Sequence, residues 1–218
     1  FHIQVAEDSS QLIINNAAQW NSGKINSSES QLIRYKGKAL QAGKKYFWRV
    51  RIWNSKSQAS NWSAINSFTT ALFNERDWSG AKWIGYEELH DTMIVIPGVH
   101  LTDVKKLGDK LKQRSVVPLF RKQFSVKKKI TSALAFVSGL GHYEMYCNGT
   151  KTGNSFLAPG WTHYDKRWLY NVYDISAQLQ QGQNAIGLIV GNGFYNINRE
   201  RYFKLVLAYG LPKMICKV

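Results

Sequence analysis

Seven short segments in the second half of this chain each read as a strand: "VPLFRKQFSV", "SALAFVSG", "GHYEMYCN", "RWLYNVYDI", "NAIGLIVG", "RYFKLVLAY" and "PKMICKV". They are rich in β-branched and aromatic residues, and Gly, Asn or Pro separates them. Many short strands with turn punctuation leave little room for helical layers and argue for an antiparallel sandwich or jelly roll. "ISAQLQQG" reads as one helical turn stopped by Gly182.

The first seventy residues are also strand-like. "FHIQVA" alternates Phe1, Ile3 and Val5 against His2 and Gln4, the period-2 pattern of a half-buried strand. "KKYFWRVRIWN" sets Tyr46, Trp48, Val50 and Ile52 on a core side, with Phe47, Arg49, Arg51 and Trp53 opposite. Guanidinium groups two residues apart on a strand can stack on aromatic faces, and Trp62 of "SNWS" is a partner for them. "AINSFTT" supplies a further strand, and Asn74 is placed to cap a short helical turn. The texture changes near Thr70, giving a first domain over 1–71 and a second over 77–218. Residues 87–117 interrupt the second as a mostly irregular insertion, in which Leu101, Val104, Leu107 and Leu111 space as one short helix behind Thr102 or Asp103.

Charge and cysteine usage exclude several classes. The formal net charge is +15, and ten of the 29 basic residues fall between Lys105 and Lys129. No recognition helix, RNP-like motif or phosphate loop accompanies that run, so it reads as a solvated or domain-docking face and not as a nucleic-acid site. No apolar run approaches the roughly 20 residues of a membrane span. Cys147 and Cys216 make neither a zinc set nor a disulfide framework, and His142 and His163 have no Cys or acid at ligand spacing. The chain opens on Phe1, without Met, and reads as a fragment of a longer protein.

"YFWRVRIWNS", "SNWS" and "SFTT" resemble the fibronectin type III-like module of bacterial α-L-rhamnosidases of glycoside hydrolase family 78. "DWSGAKWIG", "LFRKQFSV", "GLGHYEMYCNGTKTG", "LAPGWTHYDKRWLYNVYDI", "LQQGQNAIGLIVGNGFYN" and "GLPKMI" resemble, in order, that family's N-terminal β-sandwich domain. The resemblance implies an all-β chain: a fibronectin type III-like module lacking its first strands, then a jelly-roll β-sandwich truncated at its C-terminus. It implies a periplasmic or extracellular bacterial enzyme that removes terminal L-rhamnose from glycans by inversion. The catalytic acids would lie in a downstream (α/α)6 domain, so the partners of these residues would be that domain and a rhamnose-containing glycan. The region itself would brace the catalytic domain and contribute to sugar binding. Two other readings stand beside this one: a carbohydrate-binding module without catalysis, and an extracellular adhesion or receptor module.

Inverting glycosidases need two carboxyl groups roughly 6.5–9.5 Å apart, and Glu144 and Asp165 are the best-placed acids. If Tyr143, Met145 and Cys147 are the buried set of their strand, Glu144 lies on an outer face; Asp165 sits in a loop beside Lys166 and Arg167. Neither pattern is that of a poised acid, and no catalytic residue is expected here. Asn148-Gly149 is a two-residue turn signal. The resemblance also implies sugar binding at this hairpin and the "GNGFY" loop, in some members with calcium, and Asn148 and Asn192 are the matching positions. Calcium favours carboxylate ligands, and the residue before the turn is the thiol Cys147. "LAPGWTHYDKRW" offers Trp161, Tyr164 and Trp168 as either a stacking platform for a pyranose ring or packing residues, with Arg167 or Asn192 to hydrogen-bond hydroxyls.

Overall fold

The computed structural model describes residues 1–88, 90, 116–197 and 207–218, so the short helix expected near 101–111 and most of "RYFKLVLAY" lie outside the described residues. The chain divides into two compact units, Phe1–Ser79 and Gly80–Val218. Both are built of antiparallel strands.

The first unit is a four-stranded sheet. β1 (His2–Ala6), β2 (Trp20–Asn21), β3 (Lys45–Arg51) and β4 (Asn66–Thr69) lie in the order β2-β1-β3-β4. The short helix α1 (Ser9–Ile13) is capped by Asp8, whose side chain accepts from the Ser10 amide, and it buries Leu12. Register places His2 opposite Arg51 and Gln4 opposite Arg49. On this face, opposite the side read as core, His2, Gln4 and Arg49 are all buried. Trp62 lies over this face, its ring centroid 4.2 Å from the Arg49 guanidinium carbon, 4.6 Å from that of Arg51 and 4.9 Å from the His2 ring in a T-shaped contact. Arg51 also lies over Trp53 at 5.2 Å. The expected cation–aromatic ladder is present and converts a polar strand face into a second packed layer. Arg49 donates to Gln4 Oε1 (2.9 Å) and to Asn15 Oδ1, which satisfies its buried fork. Ile52, expected in the core, is exposed because it follows the end of β3. Asn74 caps a 3-10 turn (Glu75–Trp78) in a capping box closed by Asp77.

The second unit contains two four-stranded sheets. One, in the order β10-β7-β14-β5, joins β10 (Asn171–Asp174), β7 (Leu134–Leu140), β14 (Lys213–Lys217) and β5 (Ile84–Gly85). The other, β6-β11-β8-β9, joins β6 (Leu119–Val126), β11 (Gly182–Gly191), β8 (His142–Cys147) and β9 (Thr150–Lys151). A two-stranded ribbon pairs β12 (Asn196–Ile197) with β13 (Leu207–Ala208). β8 alternates strictly, with Tyr143, Met145 and Cys147 buried and His142, Glu144 and Tyr146 partly exposed. Ile186, Leu188 and Val190 of β11 alternate in step with it, and with Ala135 and Val137 of β7 they form the main core. "RWLYNVYDI" forms a strand only from Asn171. Before it, the Trp168 indole donates to the Tyr164 carbonyl (2.9 Å), a local turn contact that competes with strand pairing. The expected helical turn is a single one, with Leu179 N–H donating to the Ile175 carbonyl (3.1 Å), and Gly182 at φ +96° opens β11 after it.

Candidate functional site

The hairpin joining β8 to β9 is locked from its tip. Asn148 and Gly149 have φ of 50° and 84°, the two positive values a type I′ turn requires. The Asn148 side chain donates to Gln178 O (2.9 Å) and Asn184 Oδ1 (2.9 Å) and accepts from the Ala185 amide (2.8 Å). Both of its N–H donors are therefore engaged within the protein. Cys147, just before it, is wholly buried. Among the described residues no group of three or more His, Cys, Asp or Glu could hold a metal ion. With the neighbouring thiol in the core and the Asn148 amide bonded, this hairpin does not fit calcium.

Hydrogen bonds shift the carboxyls of both Glu144 and Asp165 below their ordinary range. Glu144 accepts from Lys151 Nζ and from the Tyr146 hydroxyl (2.8 Å), and these hydrogen bonds pull its carboxyl below the ordinary range. His163 Nδ1 lies 2.9 Å from Asp165 Oδ1 and lowers that carboxyl likewise. A general acid needs the opposite shift.

A patch of aromatic rings forms where β8 begins and β11 ends. Asn192 turns the chain there: its carbonyl accepts from the amides of Tyr195 (3.1 Å) and Asn196 (3.2 Å). After the turn Tyr195 is buried and Phe194 is half-buried, packed against the cluster that contains Tyr195. Phe194 meets the His142 ring edge-on at 5.8 Å and stacks on Trp161 at 4.8 Å and 19°. Trp161 is 58% exposed, so its outer face is open to solvent. Beneath, Tyr164 is buried, edge-on to Tyr195 (5.3 Å) and Tyr209 (5.5 Å). Burial pushes the Tyr164 and Tyr195 hydroxyls up to about 12. Two glycines allow this approach. A Cβ on Gly141 would stand 2.1 Å from the Gly191 carbonyl oxygen, and one on Gly193 would stand 2.9 Å from the His142 nitrogen.

The six sequence-chosen sugar ligands thus separate. Trp161 and Asn192 belong to this patch, and the buried Oδ1 of Asn192 has no hydrogen-bond partner among the described residues. Tyr164 lies under it with no ring face open. Trp168 is exposed but turns its edge to Trp83 at 5.4 Å. Arg167 is exposed, and its amide donates to the His163 carbonyl. Asn148 sits at the hairpin tip with its amide engaged. Phe194 and His142 were missed as members; the signal available was the aromatic after the Gly-Asn-Gly turn and the outward parity of His142 in β8.

Residues 128–217 match the model of the α-L-rhamnosidase N-terminal domain, and residues 1–74 match that of the Rha78A-like N-terminal immunoglobulin domain. An α-L-rhamnosidase of Formosa agariphila is 36% identical over 97% of this chain and 23% of its own length. The chain belongs to the α-L-rhamnosidase family. It carries that family's N-terminal domains and spans about a fifth of the length of the curated relatives, 23% and 20% for two of them. The solved α-L-rhamnosidase of Dictyoglumus thermophilum superposes with a TM-score of 0.71 at 34% identity, over 99% of this chain and 22% of that one. That of Streptomyces avermitilis, solved with L-rhamnose, gives 0.76 at 19% identity over 99% of this chain and 35% of that one, and so shows the fold alone. The sheet of residues 1–74 is thus the rhamnosidase immunoglobulin-like domain, of the same β-rich class as the fibronectin type III-like module that its sequence resembles. The matched sandwich domain contains Trp161, Asn192 and Phe194.

Proposed function

We propose that these residues are the N-terminal, non-catalytic region of an α-L-rhamnosidase that hydrolyses terminal α-L-rhamnose from glycans, and that they brace its catalytic domain. The observation that carries this reading is the pair of N-terminal rhamnosidase domain matches, at 1–74 and 128–217, in one chain. The acids described here support it from the other side, since Glu144 and Asp165 are both stabilised as carboxylates. The test is turnover of p-nitrophenyl α-L-rhamnoside. Residues 1–218 alone are expected to give none, and a polypeptide joining them to the following domains is expected to be active. Turnover by 1–218 alone would overturn the assignment.

A sugar-binding role rests on the patch. Trp161 offers an open ring face backed by Phe194, and the unpartnered Asn192 Oδ1 lies at the turn beside Phe194. An exposed aromatic face is the usual floor of a pyranose subsite. Titration calorimetry with L-rhamnose should show a dissociation constant on the order of a millimolar. Trp161→Ala should abolish it, and calcium should change nothing. Unchanged binding in Trp161→Ala would remove the patch from the reading without touching the catalytic assignment.

A further inference from the structure

The sandwich unit holds a groove of about 630 Å³ that the described side chains leave open. Its walls come from both sheets: Phe120 and Phe124 of β6, Ile186 and Leu188 of β11, and Met214 and Cys216 of β14. Ile186, Leu188 and Met214 belong to the main core and the other three pack against it, so the groove is an apolar extension of that core. Two cations stand in it. The register puts Lys122 opposite Ile186 and between Phe120 and Phe124, on the inward side of β6, and Lys82 lines the groove from the segment before β5. Neither lysine has a hydrogen bond or ion pair among the described residues, and none of the described residues that line the groove is acidic. The Lys122 charge reaches across to β14, where it favours the Cys216 thiolate against the burial that pushes this thiol up to about 11.

The volume falls within the roughly 300–1,000 Å³ of small-molecule sites. Apolar walls favour a hydrocarbon, but a neutral one would cover the ammonium groups and take them from water without a counter-charge. An anion at one end of the hydrocarbon offsets that loss with a charge-assisted hydrogen bond. We propose that the groove binds a free long-chain fatty acid, its alkyl chain against Phe120, Phe124, Leu188 and Met214 and its carboxylate paired with Lys122, in a positive field to which Lys82 adds. The lysines thus select among apolar ligands, rejecting the neutral chain and rewarding the anionic one. The site is independent of the rhamnosidase reading, since it rests only on the register, lining and charge of the sandwich.

The test is titration calorimetry of residues 1–218 with octanoate, decanoate and dodecanoate, each below its micelle concentration. Affinity should rise about fourfold per methylene, equal to about 0.8 kcal/mol, and so about 15-fold for each added pair of carbons. Lys122→Met, at an exposed position without a partner among the described residues, should keep the urea midpoint, weaken dodecanoate about tenfold and leave dodecanol no weaker than in wild type. Lys122→Glu should turn the preference from dodecanoate to dodecylamine. Saturating dodecanoate should also slow alkylation of Cys216, which lines the groove, while the wholly buried Cys147 reports on folding. Affinity that does not grow with chain length, equal dodecanoate affinity in wild type and Lys122→Met, or unprotected Cys216 at saturation would each overturn the proposal. A Lys122→Met variant that dimerises yet binds dodecanoate as wild type does would overturn it by reducing the lysine to a guard of an edge strand. A concentration-dependent dimer of the wild type that dodecanoate leaves intact would overturn it by assigning the groove to a second copy.

Discussion

Replacing Asn148 separates a structural clamp from a ligand. Asn148→Gly keeps the positive φ at no steric cost but deletes three hydrogen bonds, to Gln178 O, Asn184 Oδ1 and the Ala185 amide. The first and last are solvent-exposed, and the one to Asn184 is part-buried. At about 0.5 kcal/mol for each exposed bond and about 1 for the part-buried one, the expected loss is about 2 kcal/mol. Asn148→Ala should lose about 1 kcal/mol more, because a Cβ disfavours the left-handed conformation. Urea unfolding followed by tryptophan fluorescence reads both, and the order of midpoints should be wild type, Gly, Ala. If Asn148→Gly cost less than about 0.5 kcal/mol the clamp account would fail. A mutant of unchanged stability that had lost rhamnose binding would show Asn148 to be a sugar ligand despite its engaged amide.

Three further outcomes follow from geometry. Gly141→Ala would drive a Cβ to within 2.1 Å of the Gly191 carbonyl oxygen at φ +117°, and should cost more than about 4 kcal/mol, seen as loss of soluble, cooperatively unfolding protein. Trp62→Leu removes the ring shared by Arg49 and Arg51 and should lower stability by about 1–2 kcal/mol, with an unchanged denaturation midpoint counting against the ladder. Tyr164 and Tyr195 titrate near 12 when folded against about 10 when unfolded, so their contribution is complete below pH 10 and is lost as pH rises toward 12. Replacing both with Phe should flatten that alkaline loss in a series of urea melts, and an unaltered slope would refute the assignment.

What was legible in the sequence had a local cause. The alternation of "HYEMYC" set Tyr143, Met145 and Cys147 inward, Asn74 capped a turn that begins at the next residue, and Asn148-Gly149 made its turn from its own φ preferences. The arginine ladder was legible because its guanidinium groups are two residues apart on one strand. What failed depended on distant chain. His2 is buried against Trp62, sixty positions on, and no period-2 pattern reports such a lid. The partners of Asn148 lie 30 to 37 residues away, so its clamp was invisible while its turn was plain. Tyr164 and Trp161 looked alike as aromatics of one loop, yet one is buried against the stacked pair Tyr195 and Tyr209 and the other is exposed and stacks on Phe194. Only the turn at Asn192, after which Phe194 meets Trp161 and Tyr195 meets Tyr164, tells them apart.

That division decides how a sugar-binding role can be tested without damaging the fold. The patch is layered: Trp161 outermost, Phe194 and His142 behind it, and the close approach of Gly193 to the start of β8 beneath. Burial pushes the His142 imidazole down, which keeps that layer neutral at neutral pH. Substitution at Gly193 or His142 would shift the turn that aims Phe194, so lost binding there would not distinguish a contact from a displaced support. Trp161 lies in the loop after β9, outside the paired strands, and among the described residues its one ring contact is with Phe194. Its removal takes away the open ring while the turn hydrogen bonds at Asn192 remain, so a change in rhamnose binding with an unchanged urea midpoint can be assigned to the ring itself.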